Sequence, residues 1–183
     1  MTAIANRFLL PGLSTPRLQF RLLEPGDFNT SLPFFEHPLS HQYWPTEGKT
    51  PHALCTEWFD KQRWRYANNK GGAMALNHRE TGTFLGWCGL LVQEVDRKTE
   101  LEVGYSIMPE QWGKGYATEA ARACLDAAFE NDLAASVISI IQVDNLPSQR
   151  VAEKNGLTKD CRTVYHGQPV YLYRTYRPGA RNG

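Results

Sequence analysis

After Thr15-Pro16, Leu18, Phe20 and Leu22 alternate with polar neighbours. That two-residue period predicts a half-buried strand. Pro25-Gly26-Asp27 marks a turn, and Pro33 is expected to break or kink any helix over Phe28 to Glu36. His37 to Gly48 has no period and is expected to be an irregular loop. Thr50-Pro51 supplies an N-cap and a first-position proline for a helix running to about Asn68. Ala73 to Asn77 and Thr83 to Gln93 predict two antiparallel strands. Gly86 and Gly89 in the second point to a bulge or to close approach by another segment. Along Thr99 to Met108, Leu101, Val103, Tyr105 and Ile107 share one face. Glu102, Gly104, Ser106 and Met108 share the other. A helix from about Gly115 to Asn131 carries a stripe of small residues, suited to close packing on a sheet. Ala134 to Val143 is apolar without alternation, so it is expected to be a central strand buried on both faces. Strand, helix and strand then form a parallel crossover. Asp144-Asn145-Leu146-Pro147 opens a helix that Asn155-Gly156 ends. Asp160–His166 and Val170–Arg177 form a hairpin around Gly167-Gln168-Pro169. These patterns divide the chain into a loose arm (1–14), a single α/β (α+β) domain (15–177) and a short tail (178–183).

Composition narrows the classes. The 183 residues suffice for one sizeable core, and 42% hydrophobic with 21% charged residues fits an ordinary globular chain. The formal charge of +1 gives no support to a nucleic-acid partner or a polybasic membrane contact. No apolar run approaches the length of a membrane span, and no signal segment opens the chain, so a cytoplasmic location is expected. Cys55, Cys88, Cys124 and Cys161 are widely spaced and are expected to be free thiols. His37 and His41 have no supporting Cys or carboxylate cluster, so no metal site is expected.

One stretch carries candidate chemistry. A strand runs through Met108-Pro109 into Trp112-Gly113-Lys114-Gly115 and straight into a helix. Glycines one residue apart permit a tight turn with uncovered N–H groups. A helix N-terminus adds partial positive charge and unpaired donors. Together they predict a phosphate or pyrophosphate pocket. A P-loop would need G-x-x-x-x-G-K-[ST], which is missing. A dinucleotide fingerprint would need a third glycine and a later acidic residue, and Ala117 and Glu119 do not supply them.

Four stretches in order resemble the GNAT N-acetyltransferases of the RimJ/RimL type. They are Thr15–Arg21, Leu85–Leu90, Glu102–Ile107 with Trp112–Ala120, and Asn145–Leu157. The resemblance implies a mixed, mostly antiparallel central sheet, splayed between parallel strands 4 and 5 and flanked by helices. It also implies acetyl-CoA as acetyl donor, with no metal. Main-chain groups of Ile107, Met108 and Pro109 would line the pantetheine arm. N–H groups of Gly113, Lys114, Gly115, Tyr116, Ala117 and Thr118 would hold the pyrophosphate. Trp112 stands where the family often has Gln or Arg, a mark of the RimJ/RimL branch.

The implied reaction is attack of an amine on the thioester, which requires proton removal from an ammonium. Glu102 is the candidate base and Glu100 the fallback. The Tyr acid of many relatives falls on Ala152, and Ser148 takes the RimJ/RimL position on the same helix. Asn145 either orients the donor or serves as a helix N-cap. Tyr43, Trp44, Trp58, Trp64, Tyr165 and Tyr171 are candidates for an acceptor groove, with His41 and His166 as polar contacts. The expected partner is an amine, either a peptide N-terminus or a small molecule, acted on by a monomer or homodimer. The alternative is a non-catalytic acyl-CoA-binding module.

Overall fold

The computed structural model describes residues 6–44 and 46–179. In chain order its elements are β1 (Leu18–Arg21), α1 (Asp27–Glu36), α2 (Pro51–Ala67), β2 (Met74–His78), β3 (Phe84–Val95) and β4 (Lys98–Ile107). A 3₁₀ turn (Pro109–Gln111) leads to α3 (Tyr116–Glu130), β5 (Ser136–Gln142), α4 (Leu146–Lys154), β6 (Thr158–Tyr165) and β7 (Gln168–Tyr176). The strands form one sheet in the order β1-β2-β3-β4-β5-β7-β6. Only the β4–β5 pair is parallel; the other neighbours are antiparallel. This is the mixed α/β sheet expected from the crossover.

Neighbouring residues of β3 show how the layers form. Cys88 faces α3, where its Sγ lies 3.6 Å from that of Cys124. Trp87 faces α1 and α2 and packs on Phe34, Phe35 and Trp58. The α3 face buries Ala120, Ala121, Cys124, Leu125 and Ala128, and these small side chains let the helix lie close on the sheet. Val137 and Ile141 of β5 join the α3-side core, while Ile138 belongs to a cluster with Val95 and Leu172. β5 is therefore central and covered on both faces, as its uninterrupted apolar run predicts.

The two strand glycines mark close approaches. A Cβ at Gly86 would lie 2.2 Å from the Ser106 carbonyl oxygen, and one at Gly89 would lie 2.1 Å from that of Gly72. The β2–β3 register also slips opposite Gly86.

Three expectations need correction. Pro33 lies inside an intact α1. A proline there removes one intrahelical bond, and burial of Phe34 and Phe35 outweighs that loss. The described part of the N-terminal arm is docked, not loose. Asn6 Nδ2 donates to the carbonyls of Arg65, Tyr66 and Gly71, and Phe8 enters the core. The last hairpin turns at His166-Gly167, both in the left-handed region, and Gln168 and Pro169 already belong to β7. A two-residue turn of that kind matches the twist of the flanking strands. Residues 1–5 of the arm and 180–183 of the tail lie outside the described residues.

Candidate active site

β4 and β5 meet at one register position, Glu102 opposite Ile138, and then part. The separation leaves backbone groups that must find other partners. Ile140 N–H donates to Glu102 Oε1 at 3.4 Å, in place of a β4 carbonyl. Ser139 Oγ donates to the Val103 carbonyl at 3.2 Å. A cavity of about 210 Å³ fills the gap. One wall is the splay itself, with Gly104, Tyr105 and Ser106 facing Ser139, Ile140 and Ile141. Asn145 and Ser148 lie at its end. The opposite wall carries Trp44, Trp58 and Trp87 with Gln62 and Ala73. The cavity thus opens at the carboxyl ends of two parallel strands, a recurrent place for ligands in α/β sheets.

Glu102 lines this cavity. Burial pushes its carboxyl above the usual carboxylate range. Opposing that shift are hydrogen bonds from Gln93 and Ile140 and the positive charges of Arg65 and Lys61. Gln93 Nε2 donates to Glu102 Oε2 at 2.7 Å. The Gln93 carbonyl oxygen accepts from Arg65 at 2.8 Å and from the Tyr165 hydroxyl at 3.1 Å. The amide is therefore oriented by its neighbours, with its NH₂ toward Glu102. Arg65 is 4% exposed and also donates to the carbonyls of Lys70 and Val92.

The fallback carboxylate is committed elsewhere. Arg174 binds both oxygens of Glu100 at 2.9 Å and also reaches Asp160. Glu100 does not line the cavity.

Asn145 acts as the N-cap of α4, its Oδ1 accepting from Ser148 N–H at 3.2 Å, while also lining the cavity. The Tyr105 hydroxyl donates to the Ser148 carbonyl at 3.0 Å, and burial pushes its pKa above the ordinary range. In sequence Tyr105 stands out only by its face of β4 and its place in the Glu102–Ile107 stretch. Gln62, Trp87 and the Gln93–Arg65 pair were not singled out by sequence either. A buried polar residue on an otherwise ordinary helix or strand leaves no periodic signal.

The turn lies further along the exit from β4. Gly113 and Gly115 take φ of 77° and 83°, the left-handed region that favours glycine. Gly115 caps α3 with no side-chain hydrogen bond to the first-turn N–H groups. Those donors have no intrahelical partner, and they suit an anionic group. Arg17 fastens the turn by donating to the Lys114 carbonyl at 2.9 Å and stacking over Tyr116. Glu119, in the first turn of α3, accepts from Thr15 Oγ1 and from Arg17. Burial opposes its charge, but those donors hold its pKa below the usual value.

The polar groups of 107–109 are already engaged. Trp112 Nε1 donates to the Ile107 carbonyl at 2.7 Å. Met108 N–H donates to Leu85, and its carbonyl accepts from Gln111. The Pro109 carbonyl accepts from Trp112 N–H. The structure therefore brings Glu102, Asn145 and Ser148 to one cavity, and leaves Ile107–Pro109 and Trp112–Thr118 along the exit from β4.

The aromatic candidates divide. Trp44 and Trp58 line the cavity. Trp64 is 55% exposed and does not. Tyr165 reaches Gln93, Tyr171 lies beneath Lys159, and His166 packs on Tyr165. Tyr43 and His41 do not line the cavity.

A family model described as an acetyltransferase (GNAT) domain matches residues 17–158. The chain belongs to the GNAT acetyltransferase family. It is 33% identical over 165 residues to Bacillus subtilis (strain 168) YkkB, covering 88% of this chain and 93% of that protein. The crystal structure of the acetyltransferase from Agrobacterium tumefaciens str. C58 superposes with a TM-score of 0.76 at 27% identity, covering 91% of this chain and 95% of that one. The ribosomal L7/L12 alpha-N-protein acetyltransferase RimL, in complex with coenzyme A, superposes at 0.69 with 13% identity, covering 88% and 95%. At that identity the likeness speaks for the fold alone. Among the described residues, no helix is long and apolar enough to cross a membrane, and no three His, Cys, Asp or Glu side chains gather as metal ligands.

Proposed function

We propose that this chain is an N-acetyltransferase of the RimJ/RimL branch that moves an acetyl group from acetyl-CoA to a primary amine in the cytoplasm. The observation that carries this reading is the Glu102 carboxylate on the splay cavity, oriented by Gln93 and by Ile140 N–H. The left-handed glycines and the uncapped start of α3 fit a pyrophosphate, and the β4–β5 gap fits an extended arm. Acetyl-CoA supplies the activated acyl group as a thioester. Gly113 to Thr118 hold its phosphates through N–H groups, and Asn145 lies beside the acyl end.

In this reading Glu102 takes the proton from the acceptor ammonium, directly or through one water. The amine nitrogen bonds to the acetyl carbon as the carbon–sulfur bond breaks. The departing sulfur then takes a proton. Ser148 and Tyr105 are two of the hydroxyls on the cavity, with Ser106 and Ser139, and burial keeps Tyr105 protonated well beyond neutral pH. The carboxylate form of Glu102 is the active one. Turnover falls as pH drops through its raised pKa.

The test is release of free CoA thiol from acetyl-CoA with a panel of primary amines and N-terminal peptides. Acceptor-dependent release supports the enzyme. Tight acetyl-CoA binding with no release for any acceptor would instead favour the acyl-CoA-binding module.

A further inference from the structure

We propose that the acceptor is a compact primary amine with one ammonium group and a flat unsaturated body, seated on the Trp44–Trp58–Trp87 wall with its nitrogen toward Glu102. The inference rests on the N-acetyltransferase reading and narrows it to a substrate class.

Among the described residues lining the cavity, Glu102 alone carries a formal charge. Arg65 and Lys61 already set positive charge near that carboxylate, so one ammonium is the most it offsets; a second positive charge placed there would be unpaired and costly. The wall itself favours a cation through the faces of its indoles.

Trp58 and Trp87 have ring centroids 4.3 Å apart at 40°. Phe35 stacks on Trp87 at 16°, and Phe34 meets its edge at 4.8 Å. Trp44 packs against both phenylalanines. The rings brace one another, so the wall is a pre-set aromatic surface of tilted faces, against which a ring can pack. Trp87 is buried, while Trp44 and Trp58 keep part of their surface exposed beside the cavity.

The cavity of about 210 Å³ must also take the acetyl end of the donor, which leaves the acceptor no more than the scale of the roughly 150 Å³ that accommodates a benzene ring. It lies below the roughly 300 Å³ at which drug-sized sites begin. A peptide acceptor also needs main-chain partners. Both backbone groups of Ala73, on this wall, are taken: its N–H donates to Gln62 Oε1 at 2.9 Å, and its carbonyl accepts from the Tyr66 hydroxyl.

The experiment compares initial rates of CoA thiol release for 2-phenylethylamine, n-butylamine, spermidine and a short peptide with a free N-terminus. The expected kcat/KM for 2-phenylethylamine exceeds that for n-butylamine by about tenfold, the scale of one aromatic contact. It also exceeds those for spermidine and the peptide. Trp58→Ala should erase the ring preference through acceptor KM, and Trp58→Phe should retain most of it, with acetyl-CoA affinity unchanged in both. Trp44→Ala, in an irregular loop, serves the same purpose if Trp58→Ala does not fold. Turnover that favours spermidine, the peptide or n-butylamine overturns the substrate class and leaves the N-acetyltransferase reading standing. A ring preference that survives both alanine variants overturns the wall as its source. Acetyl-CoA binding with no turnover of any amine overturns the enzyme reading, and this inference with it.

Discussion

The turn at residues 109–118 and the tryptophan wall are two surfaces near one strand exit, and they are made differently. The turn is a contiguous stretch whose proposed binding groups are main-chain N–H. Its shape follows from two left-handed glycines and the start of a helix. The wall takes one side chain each from a loop, from α2 and from β3, and its shape follows from how five rings pack. A main-chain site tolerates side-chain drift while its glycines stay. A side-chain site can be rebuilt by single substitutions without disturbing the sheet.

The largest expected effect that separates the two surfaces comes from Gly115→Ala. A side chain in the left-handed region costs about 1–2 kcal/mol. Space is not the obstacle, since the nearest atom to a new Cβ is an Arg17 nitrogen at 3.4 Å. Acetyl-CoA affinity, read by calorimetry, should fall about tenfold, with acceptor KM unchanged. An equal loss on the acceptor side would mean the two surfaces are not separable.

Gln93→Met should act on the carboxylate between them. It removes a hydrogen bond to the charged form of Glu102, a contribution of roughly 1.5–3 kcal/mol. The acid limb of the kcat profile should therefore move to higher pH by about one unit. The acetyl-CoA dissociation constant should stay in place. A limb that does not move would exclude Gln93 from setting the proton affinity of Glu102.

Trp112→Phe should have the smallest effect. It deletes the indole donor to the Ile107 carbonyl, worth about 1 kcal/mol. The melting temperature should drop by about 2–4 °C, with acetyl-CoA affinity weakened less than by Gly115→Ala.

The same contrast explains what could be read from sequence. The turn was legible because glycine spacing, a preceding strand and a following helix are local signals. β5 was legible because a strand covered on both faces carries no alternation. α1 was not, because burial of Phe34 and Phe35 overrides the local cost of Pro33. Glu102 was legible through its place in a motif, but its support was not. Arg65 and Gln93 are far apart in sequence and meet only when α2 packs on β3. Of the aromatic candidates, Trp58 and Trp64 lie on one helix, yet only Trp58 lines the cavity. Asn145 takes the N-cap role its sequence context predicts, and it also lines the cavity.

The most direct measurement compares Glu102→Gln with the unaltered protein, taking acceptor-dependent thiol release and acetyl-CoA affinity on the same samples. The expected result is a fall in kcat of about a hundredfold or more, the scale of a lost general base, with acetyl-CoA affinity changed by less than about threefold. An unchanged rate with intact binding would contradict it and remove Glu102 from the chemistry.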